Sequence, residues 1–147
     1  MKLGADCPFF LENRPCFAEG IGEKLTPIEL DLKGKTLLIL KPDVYVSTAE
    51  AFAGIECRQP EFDLRFISYL PLEEWKSRVV NDFEKTVFAR HPELAKIKED
   101  IYSSGALYAS MSGSGSSIYG IYEEKDAAIA ERNRIESTYQ GVWLFGL

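Results

Sequence analysis

The sequence predicts an α+β fold: a ferredoxin-like split βαβ sheet with helices on one face, preceded by a short strand segment. Three observations lead there. Thr36-Leu37-Leu38-Ile39-Leu40 is a nearly continuous apolar run of strand length, as a buried strand requires. Two further strand-like runs, residues 106–111 and 117–122, flank a loop of small residues. Helical patterns separate the first run from the second, and another precedes a closing strand at 142–145. The order from Thr36 onward is strand, helices, strand, strand, helix, strand, which is the split βαβ order.

Ahead of that sheet, residues 8–11 and 16–19 read as short strands joined by the turn-rich Glu12-Asn13-Arg14-Pro15. Gly20-Ile21-Gly22-Glu23 permits a bend, and residues 25–32 read as an extended, irregular passage. Lys41-Pro42-Asp43 ends the apolar strand. Ser47-Thr48-Ala49-Glu50 has the capping-box form, a hydroxyl followed three residues on by a carboxylate, so a short helix runs to about Phe52 or Ala53. Residues 54–67 read as loop. Pro71 at a first helical position, with Glu73 and Glu74 in the first turn, opens the next helix. Asn81 followed by Glu84 repeats the cap signature for a helix to about Arg90. Pro92 opens a third, with Leu94, Ile97 and Ile101 on one face and Gly105 as its stop. Residues 125–138 read as the last helix, with Ala127, Ala130 and Ile135 among its inward candidates.

The 147 residues suffice for one domain with a core, and 46% hydrophobic against 27% charged residues is an ordinary globular balance. Seventeen basic and 23 acidic side chains leave a net charge of −6, which argues against nucleic acid as a partner. A nucleotide ligand is compatible with that charge, because local dipoles and a metal ion can hold a small polyanion. Cys7, Cys16 and Cys57 match no zinc spacing and read as reduced thiols. No apolar run approaches the roughly 20 residues of a membrane span, and Asp6 and Pro8 interrupt any signal-peptide core. A cytoplasmic location with no membrane partner is the expectation.

Asp6 is the first candidate for chemistry. It lies between Gly4 and Pro8, and a general base must sit on a rigid support within hydrogen-bond reach of its proton. The competing reading is a turn aspartate bonding its own backbone. The second candidate is the loop of Ser112, Gly113, Ser114 and Gly115. Its glycines let successive N–H groups converge on an anion. It is no Walker loop, since no Gly-Lys-Ser or Gly-Lys-Thr follows, and no Rossmann fingerprint, since a strand follows it rather than a helix. A flexible hairpin explains it equally. The third is the pair Thr48 and Phe52, one turn apart on one helical face. A hydroxyl and an aromatic ring there suit a base or sugar, or the core. His91 stands beside Pro92 as a helix cap, and without a second histidine it suggests no metal site.

Taken in order, Gly4-Ala5-Asp6-Cys7-Pro8-Phe9-Phe10, Ala18-Glu19-Gly20-Ile21-Gly22-Glu23, Lys41-Pro42 with Val46-Ser47-Thr48, Asn81-Asp82-Phe83-Glu84 and Met111-Ser112-Gly113-Ser114-Gly115 resemble the GHMP kinases. The likeness is to the branch acting on 4-diphosphocytidyl-2-C-methyl-D-erythritol, on the non-mevalonate route to isoprenoids, and it covers nearly all of the chain. The resemblance implies that Asp6 is the catalytic residue that accepts or orients the proton of the substrate's 2-hydroxyl. It implies that Thr48 and Phe52 line the pocket for the cytidine end. It makes Ser112, Gly113, Ser114 and Gly115 the family's third motif, a glycine loop beside the nucleotide loop. Cys7 stands where valine is commoner.

The same resemblance implies ATP and Mg²⁺, held mainly by an amino-terminal half with an early lysine and a glycine- and serine-rich loop opening a helix. Lys2, Lys24 and Lys41 match no such motif. The expectation is therefore a remnant of the amino-terminal domain over residues 1–34, then the carboxy-terminal domain over 35–147. The chain is expected to be a carboxy-terminal portion, from dissection or a broken reading frame, inactive alone and prone to self-association through exposed apolar surface. Two other readings stay open: a non-catalytic ferredoxin-like module that binds or senses a small molecule, and an RNA-binding domain, which the charge disfavours.

Overall fold

The computed structural model describes residues 7–56 and 59–147. The described residues begin with a helix, α1 (Cys7–Glu12), where the sequence suggested a strand over residues 8–11. Four apolar residues cannot tell a strand from a helix by periodicity, and a proline in a first turn forfeits no helical hydrogen bond. Asn13 ends α1 with φ 47°, its N–H bonding Phe9 C=O at 3.1 Å. Strands β1 (Cys16–Glu19) and β2 (Lys24–Pro27) then form an antiparallel hairpin. The passage expected to be irregular thus begins as a strand, because Gly20 (φ 72°) and Gly22 (φ 102°) turn the chain back on itself.

The main sheet has four antiparallel strands: β3 (Thr36–Lys41), β4 (Tyr108–Met111), β5 (Ile118–Tyr122) and β6 (Gly141–Gly146). Their spatial order is β4-β5-β3-β6, the ferredoxin-like arrangement expected from the element order. Alternation along β3 explains the two faces. Leu38 and Leu40 turn toward the helices, while Leu37 turns the other way.

One face of the sheet is covered by α2 (Thr48–Phe52), α4 (Phe83–Arg90), α5 (Pro92–Ser103) and α6 (Lys125–Ile135), whereas α3 (Trp75–Arg78) packs on the opposite face. Leu94, Ile97 and Ile101 of α5 are buried as the spacing predicted, and Gly105 follows its end with φ 101°. Close packing leaves no room at Gly120. A Cβ there would lie 2.5 Å from Ile101 Cγ2, so the missing side chain is what lets α5 approach β5. In α6 the inward stripe is Ala128, Glu131 and Ile135, whereas Ala130 is exposed and the helix stops at Ile135. Glu131 escaped the sequence reading because a charged residue is rarely placed inward. It is buried because both its oxygens accept from Arg134, at 2.7 and 2.8 Å.

The opposite face of the sheet carries a second cluster, in which Ile67, Trp75, Tyr108 and Ile121 are buried. It is covered by Ile28, Leu30 and Leu32 and by two 3₁₀ turns, Leu64–Tyr69 and Leu72–Glu74, the second running into α3. The first turn falls inside and beyond the stretch read as loop. Pro71 precedes the second turn as its cap rather than occupying its first position.

Four tyrosines on the sheet and α5 are pushed upward in pKa chiefly by burial: Tyr102, Tyr108, Tyr119 and Tyr122, the last to about 12. A phenol that ionises near 10 when unfolded and higher when folded keeps its stabilising contribution below 10. That contribution is lost as pH rises toward the folded value, by at most about 1.4 kcal/mol per unit for each phenol. The thermal midpoint should therefore fall from about pH 9 to about pH 11, alongside the absorbance of phenolate, and Tyr122→Phe should flatten the fall. A midpoint constant across that window would contradict the burial described.

Candidate functional site

The small-residue loop is a structured turn held from outside. Ser112 N–H bonds Ser117 C=O at 2.8 Å, and Gly115 N–H bonds Ser112 C=O at 3.0 Å. Gly113 (φ 55°) and Gly115 (φ 91°) take left-handed conformations. At Gly115 a Cβ would also lie 2.7 Å from Met111 Sδ, so both backbone and space require glycine there. Among the described residues the N–H groups of Gly113 and Ser114 have no backbone acceptor, which leaves them open to an anion.

The bracing comes from α4 and the residues before it. Asn81 Nδ2 donates to Met111 C=O and to Gly113 C=O, both at 2.8 Å, while its Oδ1 accepts from Phe83 N–H at 3.0 Å. Glu84 Oε1 accepts from Met111 N–H at 2.8 Å and from Ser110 Oγ at 3.2 Å. Its other oxygen pairs with Lys98 of α5. The edge of β4 is thereby closed without another strand. Tyr102 hydroxyl donates to Ala109 C=O at 3.1 Å, and Glu84 and Asn81 take the N–H and C=O of Met111.

The residues alone placed Asn81 and Glu84 at a helix start, and the family resemblance included Asn81-Asp82-Phe83-Glu84 as a motif without giving it a role. The cap is real on one side, since Asn81 serves Phe83 N–H, but Glu84 does not reach back in a capping box. The overlooked signal was that Asn81 offers two donors besides its capping oxygen, and a turn of small residues has carbonyls to satisfy.

Thr48 and Phe52 lie on α2, whose N-cap is Ser47, its Oγ accepting from Glu50 N–H at 3.1 Å as the capping box foretold. Both side chains are exposed rather than in the core. The Phe52 ring is 58% exposed and meets the Phe83 ring edge-on at 4.8 Å between centroids. Phe83 stands two residues from Asn81, so α2 and the glycine loop flank the same end of α4. Between them Gly54, Val80, Asn81, Glu84 and Lys85 help line a cleft of about 230 Å³. His91 makes no side-chain cap bond. Its Nε2 lies 3.2 Å from Glu50 Oε1, linking α2 to the junction of α4 and α5.

Asp6 lies outside the described residues, as does Cys57. Cys16 is a free thiol. No group of three or more His, Cys, Asp or Glu side chains among the described residues could hold a metal ion. No helix among them is long and apolar enough to cross a membrane.

The family model described as "GHMP kinases C terminal" matches residues 69–141, a span that includes Asn81, Glu84, Lys98 and the glycine loop. A 4-diphosphocytidyl-2-C-methyl-D-erythritol kinase of Bacteroides thetaiotaomicron is 54% identical over 121 residues, covering 82% of this chain and 44% of that relative. One from Parabacteroides distasonis is 52% identical over 122 residues, covering 83% and 45%. A crystal structure of 4-(cytidine 5'-diphospho)-2C-methyl-D-erythritol kinase superposes with a TM-score of 0.83 at 27% identity, over 97% of this chain and 53% of that one. The chain thus spans about half the length of the curated relatives it matches. With the sheet order and the braced loop of residues 112–115, these likenesses show that the chain belongs to the GHMP kinases and carries their C-terminal domain.

Proposed function

We propose that this chain supplies the carboxy-terminal part of an ATP-dependent kinase that phosphorylates the 2-hydroxyl of 4-diphosphocytidyl-2-C-methyl-D-erythritol, on the non-mevalonate route to isoprenoids. The observation that carries the reading is the 54% identity to a kinase of that name across four fifths of the chain. The turn at Gly113 and Gly115, with its open N–H groups, suits an anion such as a phosphate of ATP.

In this reading Asp6 orients or accepts the 2-hydroxyl proton, and Thr48 and Phe52 receive the cytidine. An exposed ring such as Phe52 contributes about 1–3 kcal/mol when a base stacks on it. Phosphoryl transfer depends on positioning and charge stabilisation, so the Mg²⁺ that accompanies ATP neutralises charge on its phosphates. The phosphate cradle and that metal belong to an amino-terminal half. Residues 1–34, with the separate β1–β2 hairpin, are the part of this chain assigned to that half, and residues 35–147, which hold the four-stranded sheet, to the carboxy-terminal domain. Exposed Phe66, Tyr69, Trp143 and Phe145 favour self-association when the chain stands alone.

The test joins this chain behind the amino-terminal half of the Bacteroides thetaiotaomicron kinase and follows phosphate transfer from ATP with Mg²⁺. The fused protein is expected to phosphorylate the substrate, and the 147 residues alone to show no turnover. Turnover by the chain alone would remove the need for a second half. A folded, ATP-binding fusion that leaves the substrate unmodified would remove the proposed activity.

A further inference from the structure

We infer that Asn81 is a positioning residue for the nucleotide: from outside the glycine loop, it sets the orientation in which Ser114 presents its N–H group. This rests on the reading of that loop as the nucleotide-side element of a kinase. The geometry is specific. One carboxamide makes three hydrogen bonds, two of them to carbonyls on either side of Ser112, at 2.8 Å each. Drawing the carbonyls of Met111 and Gly113 toward Asn81 fixes the planes of the 111–112 and 113–114 peptides. The peptide whose C=O is Gly113's carries the Ser114 N–H, so turning that carbonyl toward Asn81 aims that N–H the opposite way. The loop's own bonds, Ser112 to Ser117 and Gly115 to Ser112, leave this peptide free to rotate, and two glycines add backbone freedom on either side. Asn81 supplies the missing constraint.

Asparagine is required by count. The position needs an acceptor for Phe83 N–H and two donors for the loop, and a carboxamide supplies both. Aspartate would set an anion against two carbonyl oxygens, and serine would keep the cap without reaching the loop.

Asn81→Ser therefore separates loop positioning from helix capping. In the 147-residue chain, amide exchange at Ser112 and Gly115, the loop amides that are hydrogen-bonded, is expected to quicken by about tenfold or more, while α5 and β5 keep their protection. Unchanged exchange in the loop would overturn the inference whatever the fate of the kinase reading. In the fusion described above, the same substitution should raise KM for ATP by about tenfold and leave KM for the cytidine-bearing substrate unchanged, because a misplacement of about 1 Å suffices to weaken a positioned contact. A residue that merely stabilises the fold would lower the melting temperature and the active fraction with both KM values intact, and that result would also overturn the inference. A fusion that is inactive before any substitution would strike the kinase reading and leave the exchange experiment to decide on Asn81.

Discussion

Asp6→Asn, placed in the fused enzyme, is expected to lower kcat by about 10²–10⁴-fold, the range a positioned general base contributes. Asparagine keeps the shape and hydrogen-bonding reach of aspartate but cannot take a proton at neutral pH. KM for both substrates should therefore change little, since the lost interaction is one made in the transition state. The transition state of phosphoryl transfer is loose, and proton removal from the attacking hydroxyl comes late in such a reaction. If orientation dominates, the loss will sit at the low end of the range. If proton acceptance dominates, it will sit at the high end, and the acidic limb of the pH–rate profile will vanish with the carboxylate. Turnover within about threefold of the parent would remove Asp6 from the mechanism.

The parts of the fold that could be read from sequence were those in which local pattern and tertiary burial agree. The run Thr36-Leu37-Leu38-Ile39-Leu40 became β3, and Leu94, Ile97 and Ile101 became the buried stripe of α5. Ser47 capped α2 as its spacing to Glu50 required. Where the two levels diverge, the sequence misled. Residues 8–11 are too few for any periodicity to register, and they form part of α1. Residues 24–27 pair because the Gly20 and Gly22 turn brings them against β1, a pairing that their own composition does not carry. Glu131 is buried only because Arg134 lies one turn along to satisfy it.

The site divides in the same way. A glycine loop between two strands was visible as a motif, because glycine at a positive φ leaves a mark in the sequence. Its support was not visible as support. Asn81 and Glu84 stand about thirty residues earlier, and the one local pattern they match is a helix cap. A side chain whose partners are carbonyls and amides of a distant turn has no sequence-local signature, since any residue type offers the same backbone groups. Thr48 and Phe52 were legible as a pair on one face, and what the structure adds is that the face is exposed and leans on Phe83 beside the loop's brace.

Glu84→Ala carries the largest expected cost in stability, about 2–4 kcal/mol by chemical denaturation, because the change strands three groups at once. Met111 N–H loses its acceptor on a residue only 2% exposed, and Ser110 hydroxyl loses a partner within the sheet. The Lys98 ammonium, with 23% of its side chain exposed, loses the carboxylate that balances it. Partial exposure places the expected cost below that of a fully buried pair, because water reaches the ammonium. Helix propensity works the other way, since alanine is the better helix former, and the forfeited interaction of an acidic side chain with the first turn of α4 is worth less than about 1 kcal/mol. The loss is therefore assigned to the strand edge and the ion pair. Glu84→Gln provides the control. It keeps an acceptor for Met111 N–H and removes only the charge, so it should cost about half as much. Adding Lys98→Met to Glu84→Ala should recover part of the loss, as expected when the stranded charge is removed along with its partner. A Glu84→Ala protein within about 0.5 kcal/mol of the parent would mean that the carboxylate does not hold the end of β4, and the glycine loop would then need another anchor.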